Sequence, residues 1–250
     1  MKTLYISSQI LNWNVNISSS TIGDIIKHKR PYEILSHSES LIRGTISDFN
    51  LSDAIANLKR ALNHRLQVIE SYYKLRAIKF RGAPKGYLEI LEQYGLAKPF
   101  FIKKLIEIRN KIEHEDAKPP KIERCKELID ITWYFLKSTD KLVLYIARDI
   151  ELSPNHSSSL PDKYGGTIEI SYSKKKMSFS GWVPLNYVSN KQIDNSFKIH
   201  CSTVHDGFYW KNKDTKYHKD KTKDDIWLIG NLNLTDDDKH IILRKSFEAY

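Results

Sequence analysis

Cysteine is scarce in this chain: its 250 residues include only Cys125 and Cys201. Two cysteines exclude a disulfide scaffold and a four-cysteine zinc site built from one chain, and they fit a reducing cytoplasm. Long apolar runs are missing too. The longest strongly apolar stretch, Leu142 to Ala147, falls far short of the roughly 20 residues that span a bilayer, so a soluble protein with no membrane partner is expected. The N-terminus turns polar after Ile6 and lacks the continuous core of a signal peptide. Neither a Gly-x-Gly-x-x-Gly nor a Gly-Lys-Ser pattern occurs, and Gly165-Gly166 reads as a turn before a strand, not a phosphate loop. No internal repeat is evident.

Negative charge is the scarcer sign, with 30 Asp and Glu against 40 Lys and Arg, a net +10. Residues 1–150 hold 25 basic and 17 acidic side chains (net +8), and residues 151–250 hold 15 and 13 (net +2). A uniform surplus is what A+T-rich coding produces, whereas a concentrated one points to a basic surface facing a polyanion. With 40% hydrophobic residues and 11% aromatics, the chain can bury a core, and its length suits one large or two small domains.

The apolar spacing divides the chain. Ile55, Leu58, Leu62, Leu66, Ile69 and Tyr73 recur at threes and fours and predict a long helix from about Ser52 to Ile78, with cap candidates in Asn50 to Asp53 and stop signals at Arg81 to Pro84. A short helix from Gly86 to Tyr94 closes on Gly95. A third starts at Pro99 with Phe101, Leu105, Ile108 and Ile112 on its apolar side, and Pro119-Pro120 precedes a fourth amphipathic stretch, Ile122 to Ile150, with a candidate break near Ser138. Beyond the polar Ser153 to Pro161 segment, Thr167–Tyr172, Phe197–Val204, Ile226–Leu234 and His240–Phe247 read as strands, and Lys211–Asp225 as a charged loop. The expected architecture is α+β: an antiparallel helical bundle over 46–152, a linker over 153–163, and a small, mainly antiparallel β-rich domain over 164–250. Residues 1–45, with the Lys27-His-Lys-Arg30 cluster, are left unassigned.

The string Leu105-Ile-Glu-Ile-Arg-Asn-Lys-Ile-Glu-His-Glu-Asp116 ends the third helix. Asn110 and His114, four apart, share a helical face, and Arg109 can fold around the same edge. Arg109 offers a planar, permanently charged fork for phosphate, and His114 an imidazole that titrates near neutral pH. Metal-independent RNA cleavage needs those roles: a base for the 2′-OH proton, an acid for the leaving 5′ oxygen, and positive charge at phosphorus. One His per chain must do both jobs, or a symmetric dimer supplies two. The bland alternative is a solvated helix end whose His114 interacts with the helix dipole.

The string Arg109-Asn110-Lys-Ile-Glu-His114 resembles the R-x4-6-H motif of HEPN domains in the form where a polar residue follows the Arg. The order of helices over about 45–150 is similar as well. The resemblance implies a HEPN-like bundle that dimerises and, in many members, cleaves RNA without metal or other cofactor, leaving a 2′,3′-cyclic phosphate. It assigns catalysis to Arg109 and His114, with Asn110 orienting the site or binding phosphate, in a toxin or phage-defence setting with room for an antitoxin or activator protein. Inactive members that only bind RNA, nucleotide or a partner protein supply the alternative. One departure is Asp116, where toxins controlled by AMP attachment typically carry Tyr.

Other candidates have bland counterparts. Lys103, Lys104 and Lys111, with Lys59, Arg60, Arg76, Lys79 and Arg81, form either an RNA-holding rim or a solvated charged face. His64 reads as a surface residue that can face the site. Glu113 and Glu115 either raise the His114 pKa or are merely solvated. His200 and Cys201 point to opposite faces of a strand and so make a poor metal pair with His205. Trp182, Tyr187, Phe208, Tyr209 and Trp210 either stack on bases or fill the sheet core.

Overall fold

In the computed structural model the described residues are 2–44, 46–155, 160–211 and 220–250. They form a mixed α and β protein with an eight-stranded antiparallel sheet, and the chain divides into two compact units. One comprises Met1–Thr21, Ile78–Arg81 and Ala147–Tyr250; the other comprises Ile22–Ala77 and Gly82–Ile146.

The helical unit starts earlier than the sequence suggests. Helix α1 (Ile25–Leu41) is capped by Asp24, whose carboxylate accepts from the backbone N–H groups of Ile26 and Lys27. Helix α2 (Asp48–Tyr73) is capped by Ser47, not by Asn50 to Asp53, and ends on Lys74 in the left-handed conformation, before the Gly and Pro expected to stop it. Helices α3 (Tyr87–Gln93) and α4 (Pro99–Glu115) follow, with Gly95 at φ +74° turning the chain between them. Helix α5 (Ile122–Ser138) and the short α6 (Asp140–Leu144) complete the unit. The periodic residues of α2 supply its buried face: Ile55, Leu58, Leu62 and Ile69 are almost wholly inaccessible, and the first three pack in one core with Leu105, Leu128 and Leu136 from α4 and α5.

The fourth amphipathic stretch breaks at Ser138, where a break is expected, but it does not stay helical to Ile150. The chain turns to strand at Tyr145, and the buried residues Ala147 and Ile150 are three apart, a spacing that imitates a helix. Residues 2–22, unassigned from sequence, supply β1 (Lys2–Ser7) and β2 (Asn14–Ile22). With β3 (Tyr145–Ser153), β4 (Gly165–Ser171), β5 (Lys176–Pro184), β6 (Val188–Ser189), β7 (Ser196–Asp206) and β8 (Asp225–Asn233), they give the order β2-β3-β4-β5-β8-β7-β1-β6. The sheet is therefore built from both ends of the chain. Gly165 and Gly166 are strand residues, not a turn. Gly166 faces Gly181, and a Cβ on Gly181 would lie 2.4 Å from the Gly166 Cα. The short helix α7 (Gly207–Lys211) follows β7, and the strand expected at His240–Phe247 is helix α8 (Asp236–Glu248), started by a capping box between Thr235 and Asp238. The second half of the charged loop, from Asp220, leads into a fully buried Asp225, which accepts from Lys163 Nζ (2.8 Å), Tyr164 Oη (2.6 Å) and the Thr222 backbone N–H (2.6 Å). Burial pushes its pKa up, but those donors outweigh burial and hold it below the usual carboxylate range. Linker residues 156–159 and loop residues 212–219 lie outside the described residues.

Candidate functional site

Helix α4 places the motif on its last two turns. Pro99 opens the helix at a position needing no N–H partner, Ile102 and Leu105 bury its inner face, and Ile108 and Ile112 pack partly against the same core. Arg109 is thereby held at the edge of the core with its side chain 22% exposed, whereas His114, in the terminal turn, is 70% exposed.

Glu113 joins the two. One carboxylate oxygen is ion-paired with Arg109 Nη2, and the other lies 3.9 Å from His114 Nε2. Asn110 Oδ1 accepts from Lys59 Nζ of α2 (3.2 Å) and is 3.5 Å from Arg109 Nη1. Arg109, Asn110, Glu113 and His114 thus form one chain of polar contacts, tied to α2 through Lys59. His114 and Asn110 share a face as the spacing requires, but Glu113 is the connecting group, and its ordinary reading as a solvated acid understates it.

The rim residues divide. Lys103 is ion-paired with Glu89, and Lys104 Nζ donates to Glu107 at 2.8 Å, so both have carboxylate partners within the unit. Lys111 is exposed. Arg81 belongs to the sheet unit, where its backbone N–H donates to Asp237 Oδ1. Lys79 is in the same short segment, and only Arg60 and Lys59 join Arg109 at a common cavity.

That cavity, of about 500 Å³, is the feature sequence reasoning missed. Arg30 of α1, Lys59, Arg60 and His64 of α2, and Arg109 of α4 line it, and no carboxylate does. His64 is not a plain surface residue: it is half-buried, and its Nδ1 is buried without a hydrogen-bond partner among the described residues. Burial, then the positive charges of Arg30, Arg65 and Lys27, lower its pKa. Burial and Arg109 likewise lower that of Lys59. His64 follows Arg60 by four residues and Lys59 by five, a legible signal, but nothing in the sequence places Arg30 opposite. His114 does not line the cavity.

The regional charge contrast does not survive the observed division. Lys2, Lys79, Arg81, Arg148 and Asp149 fall in the sheet unit, leaving 21 basic against 16 acidic residues in the helical unit and 19 against 14 in the other, +5 each.

In the sheet unit His200 Nδ1 is 3.1 Å from Thr3 Oγ1 while Cys201 is buried on the opposite face. Trp182 is buried with its ring 5.5 Å from that of Trp227, Tyr187 lies against Trp13, and Tyr209 stacks on His205 at 3.6 Å. Phe208 is exposed, and the Trp210 side chain lies outside the described residues. Compared with family models, curated proteins and solved structures, the chain matches none.

Proposed function

We propose that the chain is a metal-independent endoribonuclease of HEPN type, its helical unit a HEPN-like bundle that pairs with a second copy. The observation that carries this reading is the juxtaposition at one helix end of Arg109, ion-paired with Glu113, and the His114 imidazole, 3.9 Å from the other oxygen of that carboxylate. In the proposed reaction an imidazole takes the 2′-OH proton, the oxygen attacks the adjacent phosphorus, and the 5′ oxygen leaves with a proton from a second imidazole. Arg109 stabilises the charge that builds at the phosphoryl oxygens, and Asn110 with Lys59 orients it. The product is a 2′,3′-cyclic phosphate. Exposure of His114 suits a role across a dimer cleft, where the second copy supplies the second imidazole. A cytoplasmic toxin or phage-defence role, with an antitoxin or activator as partner, belongs to the same proposal.

A second reading, a non-catalytic module that binds RNA, nucleotide or a partner protein, is favoured by one observation: within one chain Arg109 is already neutralised by Glu113. Incubating the protein with single-stranded RNA in excess EDTA separates the two. Cleavage with cyclic-phosphate ends, abolished by His114→Ala with the fold intact, is the expected result. Cleavage that survives His114→Ala rejects the site, and cleavage that EDTA stops rejects the mechanism.

A further inference from the structure

The cavity between α1, α2 and α4 collects five basic side chains, and its charges are only partly compensated. Arg30 Nη1 meets Glu33 at 2.8 Å and Arg109 meets Glu113, both from outside the lining. Lys59 has an uncharged partner, Asn110. Arg60 forms no ion pair among the described residues, and two nitrogens in lining side chains, His64 Nδ1 and Arg109 Nε, are buried with no hydrogen-bond partner. Each buried polar atom without a partner has lost hydration that nothing replaces, so a pair beside a like-charged cluster calls for an explanation.

A bound anion provides one. We propose that this cavity binds a phosphate group carrying two negative charges, as in a terminal phosphate or a diphosphate, within a single protomer. The size fits the few-hundred-Å³ range of small-ligand sites, and the guanidinium groups of Arg30, Arg60 and Arg109 are planar forks that match phosphate oxygens. An internal phosphodiester carries one charge and belongs to a strand whose charges are spread along a groove. A terminal phosphate concentrates about −1.5 to −2 in one place, which suits a compact cluster better. Asn63 and Gln67, also on the lining, supply amides for whatever the phosphate is attached to. The site needs neither His114 nor strand cleavage, so it stands apart from the nuclease reading although both use Arg109.

The test is calorimetric titration in EDTA at low salt with three probes: inorganic pyrophosphate, a short RNA with a 5′-phosphate, and the same RNA with a 5′-hydroxyl. Wild type is expected to bind pyrophosphate and to prefer the phosphorylated strand by about tenfold, the equivalent of one charge-assisted hydrogen bond. Pyrophosphate binding without strand preference assigns the site to free phosphates; strand preference assigns it to RNA ends. Arg60→Ala, at an exposed position, is expected to weaken binding at least about tenfold, and His64→Gln to do the same with an unchanged unfolding midpoint. His114→Ala is expected to bind as wild type does. Absence of pyrophosphate binding together with equal affinity for the two strands overturns the proposal, as does wild-type binding by both Arg60→Ala and His64→Gln. Intact binding in a protein that cuts no RNA sinks the nuclease reading alone.

Discussion

His64 and Arg65 are neighbours on α2, and the centres they belong to are opposites. Arg65 is fully buried and its charge is answered: Nη1 and Nη2 both donate to Asp140 Oδ1 at 3.0 Å, and Nη1 also reaches the Leu136 carbonyl (3.2 Å) and Thr139 Oγ1 (3.3 Å), leaving only Nε without a hydrogen-bond partner among the described residues. Asp140 is further engaged by His28 Nε2 at 2.9 Å and by Tyr32 Oη, which donates to Oδ2 at 2.8 Å. Burial and then Asp140 push the Tyr32 phenol above its ordinary pKa, so it stays a donor. One residue earlier, His64 faces a cavity where cations meet without a lining carboxylate. The difference teaches that buried charge alone does not mark function. A charge whose counter-charge is present within the chain ties α1, α2, α5 and α6 together; a cluster with no carboxylate on its lining leaves room for a ligand.

The largest expected effect is on the answered centre. Asp140→Ala strands Arg65 in a dry site, and loss of one partner of a buried pair costs about 3–5 kcal/mol. Hydrogen exchange of the α2 and α5 amides should speed up accordingly, while the sheet unit, read in the same experiment, keeps its protection. The double variant Arg65→Met/Asp140→Leu should recover much of the loss, because an apolar pair carries no stranded charge. If Asp140→Ala changed α2 protection by less than about 1 kcal/mol, the contrast between the two centres would disappear.

A smaller effect is expected from pH at the open centre. In the fold, burial and the charges of Arg30, Arg65 and Lys27 lower the His64 pKa; the remaining charged groups on the same cavity, Lys59, Arg60 and Arg109, are of the same sign. The unfolded chain therefore binds a proton near pH 6.5 that the folded chain resists. Stability of the helical unit should be complete above that pH, fall as pH drops through 6.5, and level off below the folded pKa. Urea midpoints across this range check the sign, and His64→Gln should flatten the curve. A wild-type curve that rises toward acid would mean that His64 has an anionic partner.

How far these centres were legible follows from what periodicity encodes. The Ile55 to Tyr73 face of α2 and the placement of Arg109, Asn110 and His114 on one helix end are local, and a spacing of three and four displays them. The Arg65–Asp140 tie joins residues 75 apart, and the cavity needs Arg30 from a segment whose helix carries no clear apolar stripe, so neither has a local signature. The sheet was legible only where strands are apolar. β2, with its Ser and Thr run, is a mostly exposed edge strand and looks like a loop, while β3 imitates a helix. Helix α8 was readable after all: Thr235 and the three aspartates after it are a cap and a dipole-matched first turn, a stronger cue than the Ile241 to Leu243 run taken for a strand.

The smallest effect concerns Arg60 and stability itself. Arg60 is exposed and forms no ion pair among the described residues, so Arg60→Ala in chloride buffer should change unfolding free energy by no more than about 0.5 kcal/mol, with any gain coming from relieved repulsion. The informative comparison is between buffers. A ligand that binds only the folded state adds RT ln(1 + [L]/Kd), so phosphate at matched ionic strength should raise the wild-type melting temperature and leave Arg60→Ala nearly unmoved. General salting-out by phosphate would raise both equally, and Asp140→Ala supplies the control, since its cavity keeps all five basic residues. Equal shifts in all three proteins would mean that the uncompensated cluster is only a strained surface, and that the two neighbouring centres differ in packing rather than in purpose.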